Sequence, residues 1–400
     1  MAATSDPFFD LPHDSEWNAC IGRQGTEENY VDGYIEAAIE LASAVIDKGL
    51  HGQRDTLAMP ILYNTRHGVE LALKLAISRL HRMGAIPQVH PKDHDIRSHW
   101  EFLAQAGAGD VKLRRLIADL QPYVESLATI DDDGQELRYA ENRAGGKSLE
   151  GKALANIAVI RDSVIQLGKV IEALKYRAID LGEERATGTF TPECSRTDLI
   201  AIADRLPPID KWRDPVFDEV KAAVMAEFGL SGKKFSAAVT AIKSSRETCR
   251  RIGQMTPLKH LTDAHARYAI EQWALCHPHE PAAGGLGLDY GAPRDFEAIA
   301  ARHSVDQTVI DAIRRALSLD EIADLEAVYQ VGRLNQFAEH YDQILKLACE
   351  RRHLQGDDLW EAVHYLVTKT NLQTGVARGL VILGRPDLAG QIAAIKRGPA

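Results

Sequence analysis

The feature that most constrains this chain is the spacing of its apolar residues. In every long segment they recur at three- and four-residue steps, and no segment alternates apolar and polar residues as a half-buried strand does. Residues 27–48 place Tyr30, Val31, Ile35, Ala38, Ile39, Ala42 and Val45 on one helical stripe, with Gly49 as a stop signal. Residues 55–83 carry Leu62, Val69, Leu73, Ala76, Ile77 and Leu80, closed by Gly84 and Pro87, with Pro60 marking an expected break. A third helix is expected from about His94, with Trp100, Phe102 and Leu103, and a fourth over 110–128 with a kink at Pro122. After a polar stretch around Asp133-Gly134 and Gly145-Gly146, a long helix is expected from a Ser148 cap. The predicted fold is all-α: an N-terminal helical bundle over 1–185, followed by two smaller helical units, 186–290 and 291–400. The two boundaries are placed in the loop-like stretches LGEERATGTFTPECSR and HPHEPAAGGLGLDYGAP.

Composition agrees with a packed globular chain. At 400 residues, 45% hydrophobic and 26% charged, it excludes collagen-like, disordered and disulfide-scaffold classes. The formal charge is −10, and residues 1–185 hold 29 acidic against 21 basic groups. Bulk attraction to nucleic acid is therefore excluded, and only a local basic patch could serve. Five scattered cysteines without a CxxC pair argue against a zinc ribbon and for reduced thiols, hence a cytoplasmic location. The opening stretch has no apolar core of a signal peptide, and no transmembrane span is expected.

Several constellations carry candidate chemistry. Arg66, Glu70 and Lys74 fall at four-residue steps and predict a ladder of charge pairs. The functional reading of that helix takes Arg66 as an anion binder and His67 as an acid or base. His90 and His94 have helical metal spacing, but Pro91 places His90 outside the helix, and Asp93 or Asp95 reads as its N-cap, so no metal is expected. The Glu350–His353 and Glu361–His364 triplets lie too close together for a carboxylate-bridged di-iron bundle. Gly145-Gly146-Lys147-Ser148 lacks the preceding glycine of a phosphate loop. FEAIAARHSVDQTVIDAIRRAL has a helix-turn-helix rhythm, yet Asp306 and Asp311 would repel phosphate, and ordinary helix packing is expected. The best nucleic-acid candidate is the basic helix over 232–252, with Lys233, Lys234, Lys243, Arg246 and Arg250 as binding residues and Arg251 beside them.

Over residues 27–180 three groups of residues carry a resemblance. They are Arg66-His67 with Glu70-Leu71 and Leu73-Lys74; His94-Asp95-Ile96 with Trp100; and Asp132-Asp133-Gly134 with Arg138-Tyr139. Together the segment resembles bacterial HEPN-like helical proteins. The resemblance implies an all-α bundle, frequently dimeric, linked to RNA cleavage or phage defence. Its nuclease members carry an Arg and a His with four to six residues between them on a helix. Residues 1–185 contain no such match, while Arg333 and His340 in the C-terminal part have the spacing. The expectation is a non-catalytic RNA- or protein-binding or sensing module, without cofactor. The alternative is a metal-independent ribonuclease whose catalytic groups are Arg333 and His340, or Arg66 and His67.

Overall fold

The computed structural model describes residues 16–91, 93–141, 145–152, 154–278, 296–355 and 359–398, with Asp6, Phe8, Phe9 and Leu11 before them; the side chains of 296–302 and 352–355 lie outside that description. Among the described residues the structure is all-α, and its only strand-like pairing is one isolated bridge between Glu141 and Lys147. No helix is long and apolar enough to cross a membrane. The chain divides into two compact units, Met1–Glu183 and Glu184–Ala400.

The N-terminal unit is built on α1 (Glu27–Asp47) and α2 (Arg54–Arg82). Thr26 and Asn29 close a capping box at the start of α1, and Glu27 and Glu28 complement its positive end. The α1 stripe Val31, Ile35, Ala38, Ala42 and Val45 is buried. Gly68 of α2 lets Ile35 seat against its backbone, for a Cβ there would lie 2.7 Å from Ile35 Cδ1. The α2 helix runs through Pro60 without the expected break. Asp95 caps α3 (Ile96–Gln105) by accepting from the amides of Arg97 and Ser98. Asp110 caps α4 (Val111–Ile130), which also continues through its proline, Pro122. Trp100 of α3 donates its indole N–H to the Ile117 carbonyl of α4 at 2.7 Å.

The long helix α5 (Ile157–Ala186) starts nine residues later than its expected Ser148 cap. Leu149 holds a positive φ of 57° and Leu154 is fully exposed, so the intervening segment is turn and loop. Asn156 performs the capping, accepting from the amides of Ala158 and Val159. Arg177 of α5 forms a forked pair with Asp110, both buried, which ties α5 to the start of α4.

The C-terminal unit begins with α6 (Arg196–Arg205), α7 (Pro215–Phe228), α8 (Gly232–Ser244) and α9 (Arg246–Arg251). Ser195 and Asp198 form the capping box of α6. It continues with α10 (Asp263–Cys276), α11 (Phe296–Ala316), α12 (Leu319–Arg333), α13 (Tyr341–Gln355), α14 (Leu359–Val367), α15 (Leu372–Ile382) and α16 (Pro386–Ala393). One apolar cluster runs from Leu258 through Trp273, Ile310, Val328 and Val376 to Ile392. The expected division near residue 290 therefore does not separate two units: α10 packs against both α11 and α16, within the same core. The loop that suggested the division, residues 279–295, lies outside the described residues. Helix α11 is continuous, so the helix-turn-helix rhythm is not realised as a turn at Ser304.

Candidate functional site

Three stretches distant in sequence, around residues 66–74, 94 and 131–134, meet at Arg66. Its side chain is 1% exposed, and every guanidinium nitrogen is engaged. Nε donates to the Asp131 carbonyl at 2.7 Å, Nη1 to Glu70 Oε2 at 3.0 Å, and Nη2 to the carbonyls of Asp132, at 2.8 Å, and of His94. The 131–138 loop is shaped to receive it. The buried Asp131 carboxylate accepts from the amides of Gln135, Glu136 and Leu137. Gly134, at φ 80°, lies flat over the guanidinium, where a Cβ would stand 3.0 Å from Nη1. Glu70 in turn accepts from Lys74 at 2.7 Å and faces His94 Nδ1 at 2.9 Å.

The expected Arg66–Glu70–Lys74 ladder is thus present, buried and extended to two loops. Arg66 is buried with four of its five N–H donors committed inside the fold, so it does not face solvent as an open anion binder would. His67 is held between rings, stacked on Tyr63 at 5.7 Å and edge-on to Tyr34 at 4.5 Å. Burial lowers its pKa, against the opposing pull of Glu70, and so favours the neutral ring. Arg66 and His67 together form a structural centre.

The Glu70 carboxyl is pushed up by burial, but hydrogen bonds from Lys74, His94 and Arg66 outweigh this and hold it below the ordinary 4.5. Glu339 in the C-terminal unit is likewise raised by burial and lowered further by its bonds to Arg196 and Ser245. A depressed folded pKa contributes stability above the unfolded value that is lost as pH falls through the folded one. Both units should therefore lose stability as pH falls below about 4.5. Glu70→Gln should flatten that acid dependence for the N-terminal unit; urea midpoints measured from pH 6 to pH 3 check it, and an unchanged slope would contradict it.

Beside this centre, α1, α2, α3 and the 89–91 segment line a half-open cavity of about 470 Å³. Tyr30, Leu71, Leu75, Ile77, Val89 and Pro91 supply apolar walls, while Glu27, Lys74, Ser78, His90 and His99 supply the polar groups. The two histidine rings sit 4.1 Å apart, centre to centre. Asp93 faces both: His99 Nδ1 is 3.4 Å from Oδ1, and His90 Nδ1 is 3.9 Å from Oδ2. His90 Nδ1 donates to the Pro91 carbonyl at 2.9 Å, and its Nε2 accepts from Ser98 Oγ at 2.7 Å. His99 Nδ1 donates to the Asp95 carbonyl at 2.7 Å, and burial lowers the pKa of this ring.

No metal is expected from the sequence, yet the structure brings together a set of residues able to hold one. His90, Asp93 and His99 come within 4.8 Å of one another. The sequence pairing considered His90 with His94, whose Nδ1 instead faces Glu70. His90 lies ring against ring with His99, which is buried on the first turn of α3. The signal in the sequence is His99, one turn beyond the Asp95 cap.

The other candidates are dispersed. Arg333 ends α12 and His340 lies in a separate 3₁₀ turn, Ala338–His340, beyond Asn335 at φ 50°. His340 Nδ1 bonds Gln336 Oε1 at 2.9 Å. The two residues are not on one continuous helix. The strongest anchor in this segment is Glu339, which takes a forked pair from Arg196 at 3.1 Å for both contacts and a hydroxyl from Ser245 at 2.8 Å.

Ser245, in extended backbone, also breaks the expected basic helix into α8 and α9. Lys233 and Lys234 sit at the start of α8, and Lys234 lies 3.4 Å from Glu193. Lys243 lies over the Trp212 ring. Arg246 lies over Tyr341 and pairs with Asp342, and Arg250 pairs with Glu247, as does Arg251. Much of the positive charge is therefore neutralised within the fold. Glu361 and His364 belong to α14, where His364 stacks on Trp360, and the side chain of His353 lies outside the described residues.

No family model, no curated protein and no solved structure matches this chain.

Proposed function

We propose that this chain is a non-catalytic sensing protein whose ligand site is the cavity of its N-terminal unit. The observation that carries the reading is the cavity itself, about 470 Å³ with apolar walls and a few convergent polar groups. That is the usual make-up of a small-molecule site. Its size and walls suit a small organic molecule with an apolar body and one acidic head, which Lys74 and the histidine pair would meet. The rigid centre at Arg66 supports the same reading, because it fixes α2 and the loop before α3 that form two of the walls. The HEPN-like resemblance also supports a binding role, since the catalytic Arg/His spacing is missing from this unit.

The test is thermal denaturation of the purified chain against a panel of small carboxylates and phosphates. A true ligand at about a hundred times its Kd should add roughly 2.7 kcal/mol of stability. Ser78→Phe, which fills the cavity, should abolish that response without unfolding the helices. A flat response across the panel, or equal shifts in wild type and Ser78→Phe, would refute the cavity as the site. RNA retention that depends on Lys233 and Lys243 would favour RNA binding in its place. RNA cleavage lost in His340→Ala would favour the ribonuclease.

A further inference from the structure

We infer that His90, Asp93 and His99 form a zinc site in the wall of this cavity. Three observations converge on it. The ligand types are right: two imidazoles and a carboxylate are a donor set that borderline divalent metals such as zinc favour. The distances are within reach of it. With metal–ligand bonds of about 2.0 Å, neighbouring ligands of a tetrahedral ion stand about 3.3 Å apart. Asp93 Oδ1 stands 3.4 Å from His99 Nδ1 and Oδ2 stands 3.9 Å from His90 Nδ1, and one ligand atom from each of the three residues lies within 4.8 Å of the others. Binding would draw the three side chains together around the ion by up to about 1.5 Å.

The surroundings are also arranged. Ser98 Oγ, 2.7 Å from His90 Nε2, holds the ring with Nδ1 toward Asp93. That is the outer-sphere hydrogen bond a ligating imidazole requires. Ligation through Nδ1 requires each neutral imidazole to shift to its Nε2–H tautomer: the protons now donated to the Pro91 and Asp95 carbonyls end on Nε2, and His90 Nε2 becomes the donor to Ser98. His99 is buried and Asp93 is half-exposed, so the ion would be held from inside and loaded from solvent.

Three protein ligands leave a fourth tetrahedral position. Because both histidines line the cavity, that position is available to whatever the cavity holds. An acidic head group could bind the metal directly. The zinc site does not depend on the small-molecule reading: zinc uptake without ligand tests the one, and the cavity-filling variant tests the other.

The experiment uses the untagged full chain, stripped with chelator and dialysed against zinc alone. Elemental analysis should return about one zinc per chain. Cobalt in place of zinc should give the intense visible absorption of a tetrahedral centre. Asp93→Asn and His90→Gln, both at partly exposed or rim positions, should each weaken zinc binding at least about tenfold, and Ser98→Ala by about tenfold. His51→Gln, an exposed histidine elsewhere, should change nothing. Circular dichroism of each variant establishes that the helices persist. Uptake below about a tenth of an equivalent by the wild type, or full uptake by the Asp93→Asn/His90→Gln double variant, would overturn the assignment.

Discussion

Arg66→Met is expected to destabilise the N-terminal unit by about 3–5 kcal/mol, the cost of breaking a buried charge pair from one side. Methionine keeps much of the volume but none of the donors. Glu70, 3% exposed, would lose its Arg66 contact, and the carbonyls of His94, Asp131 and Asp132 would lose the guanidinium that gathers them. Arg66→Lys should recover only part of the loss, because an ammonium cannot reproduce the planar fork that reaches two loops and a carboxylate at once. Urea denaturation followed by Trp100 fluorescence reads the effect locally, since Trp100 bonds Ile117 within this unit. A loss below about 1 kcal/mol would place the ladder with ordinary surface ion pairs.

The same residue shows where the sequence was legible and where it was not. The four-residue spacing of Arg66, Glu70 and Lys74 is a local property, and the ladder follows from it. Burial of Arg66 is a long-range property. It requires carbonyls 28 and 66 residues further along the chain, and nothing in the helix itself announces them. Capping was also legible wherever the cap and its partner lie within one turn, as at Asp95 and at Ser195 with Asp198. It failed at Ser148, because two serviceable cap residues, Ser148 and Asn156, precede the same apolar run. The break at Ser245 was hidden for the reason that hid Arg66. At the break the Ser245 hydroxyl donates to Glu339, 94 residues away. The division expected near residue 290 rested on a glycine-rich loop, but a polar loop marks a domain boundary only when few contacts cross it, and here one core spans it. The histidine–aspartate trio joins His90 and Asp93, which precede α3, to His99 within it, a meeting that periodicity cannot express.

Gly332→Ala should destabilise the C-terminal unit by about 3 kcal/mol or more, at or beyond the upper end of ordinary overpacking. The sign is the informative part. In an exposed helix interior, replacing glycine by alanine stabilises by up to about 1 kcal/mol. At Gly332, however, a Cβ would fall on the Gly375 carbonyl oxygen, and one at Gly379 would fall on the carbonyl oxygen of Val328. Helices α12 and α15 therefore meet backbone against backbone, and neither obstacle is a side chain that can rotate away. Tyr329 seals the contact on one side, packing over Gly375 and donating its hydroxyl to Asn371 at 2.8 Å. A single added methyl must separate the two helices, and with them the cluster that contains Val328, Val331, Val376 and Leu380. Gly33→Ala in α1 is the matched control, because a Cβ there meets nothing within 4 Å. It should raise stability slightly while Gly332→Ala lowers it sharply. Thermal and urea denaturation followed by fluorescence of the fully buried Trp273 reports on the C-terminal unit. If Gly332→Ala were as stable as the parent, the close approach of α12 and α15 would be wrong, and with it the packing assigned to this half of the chain.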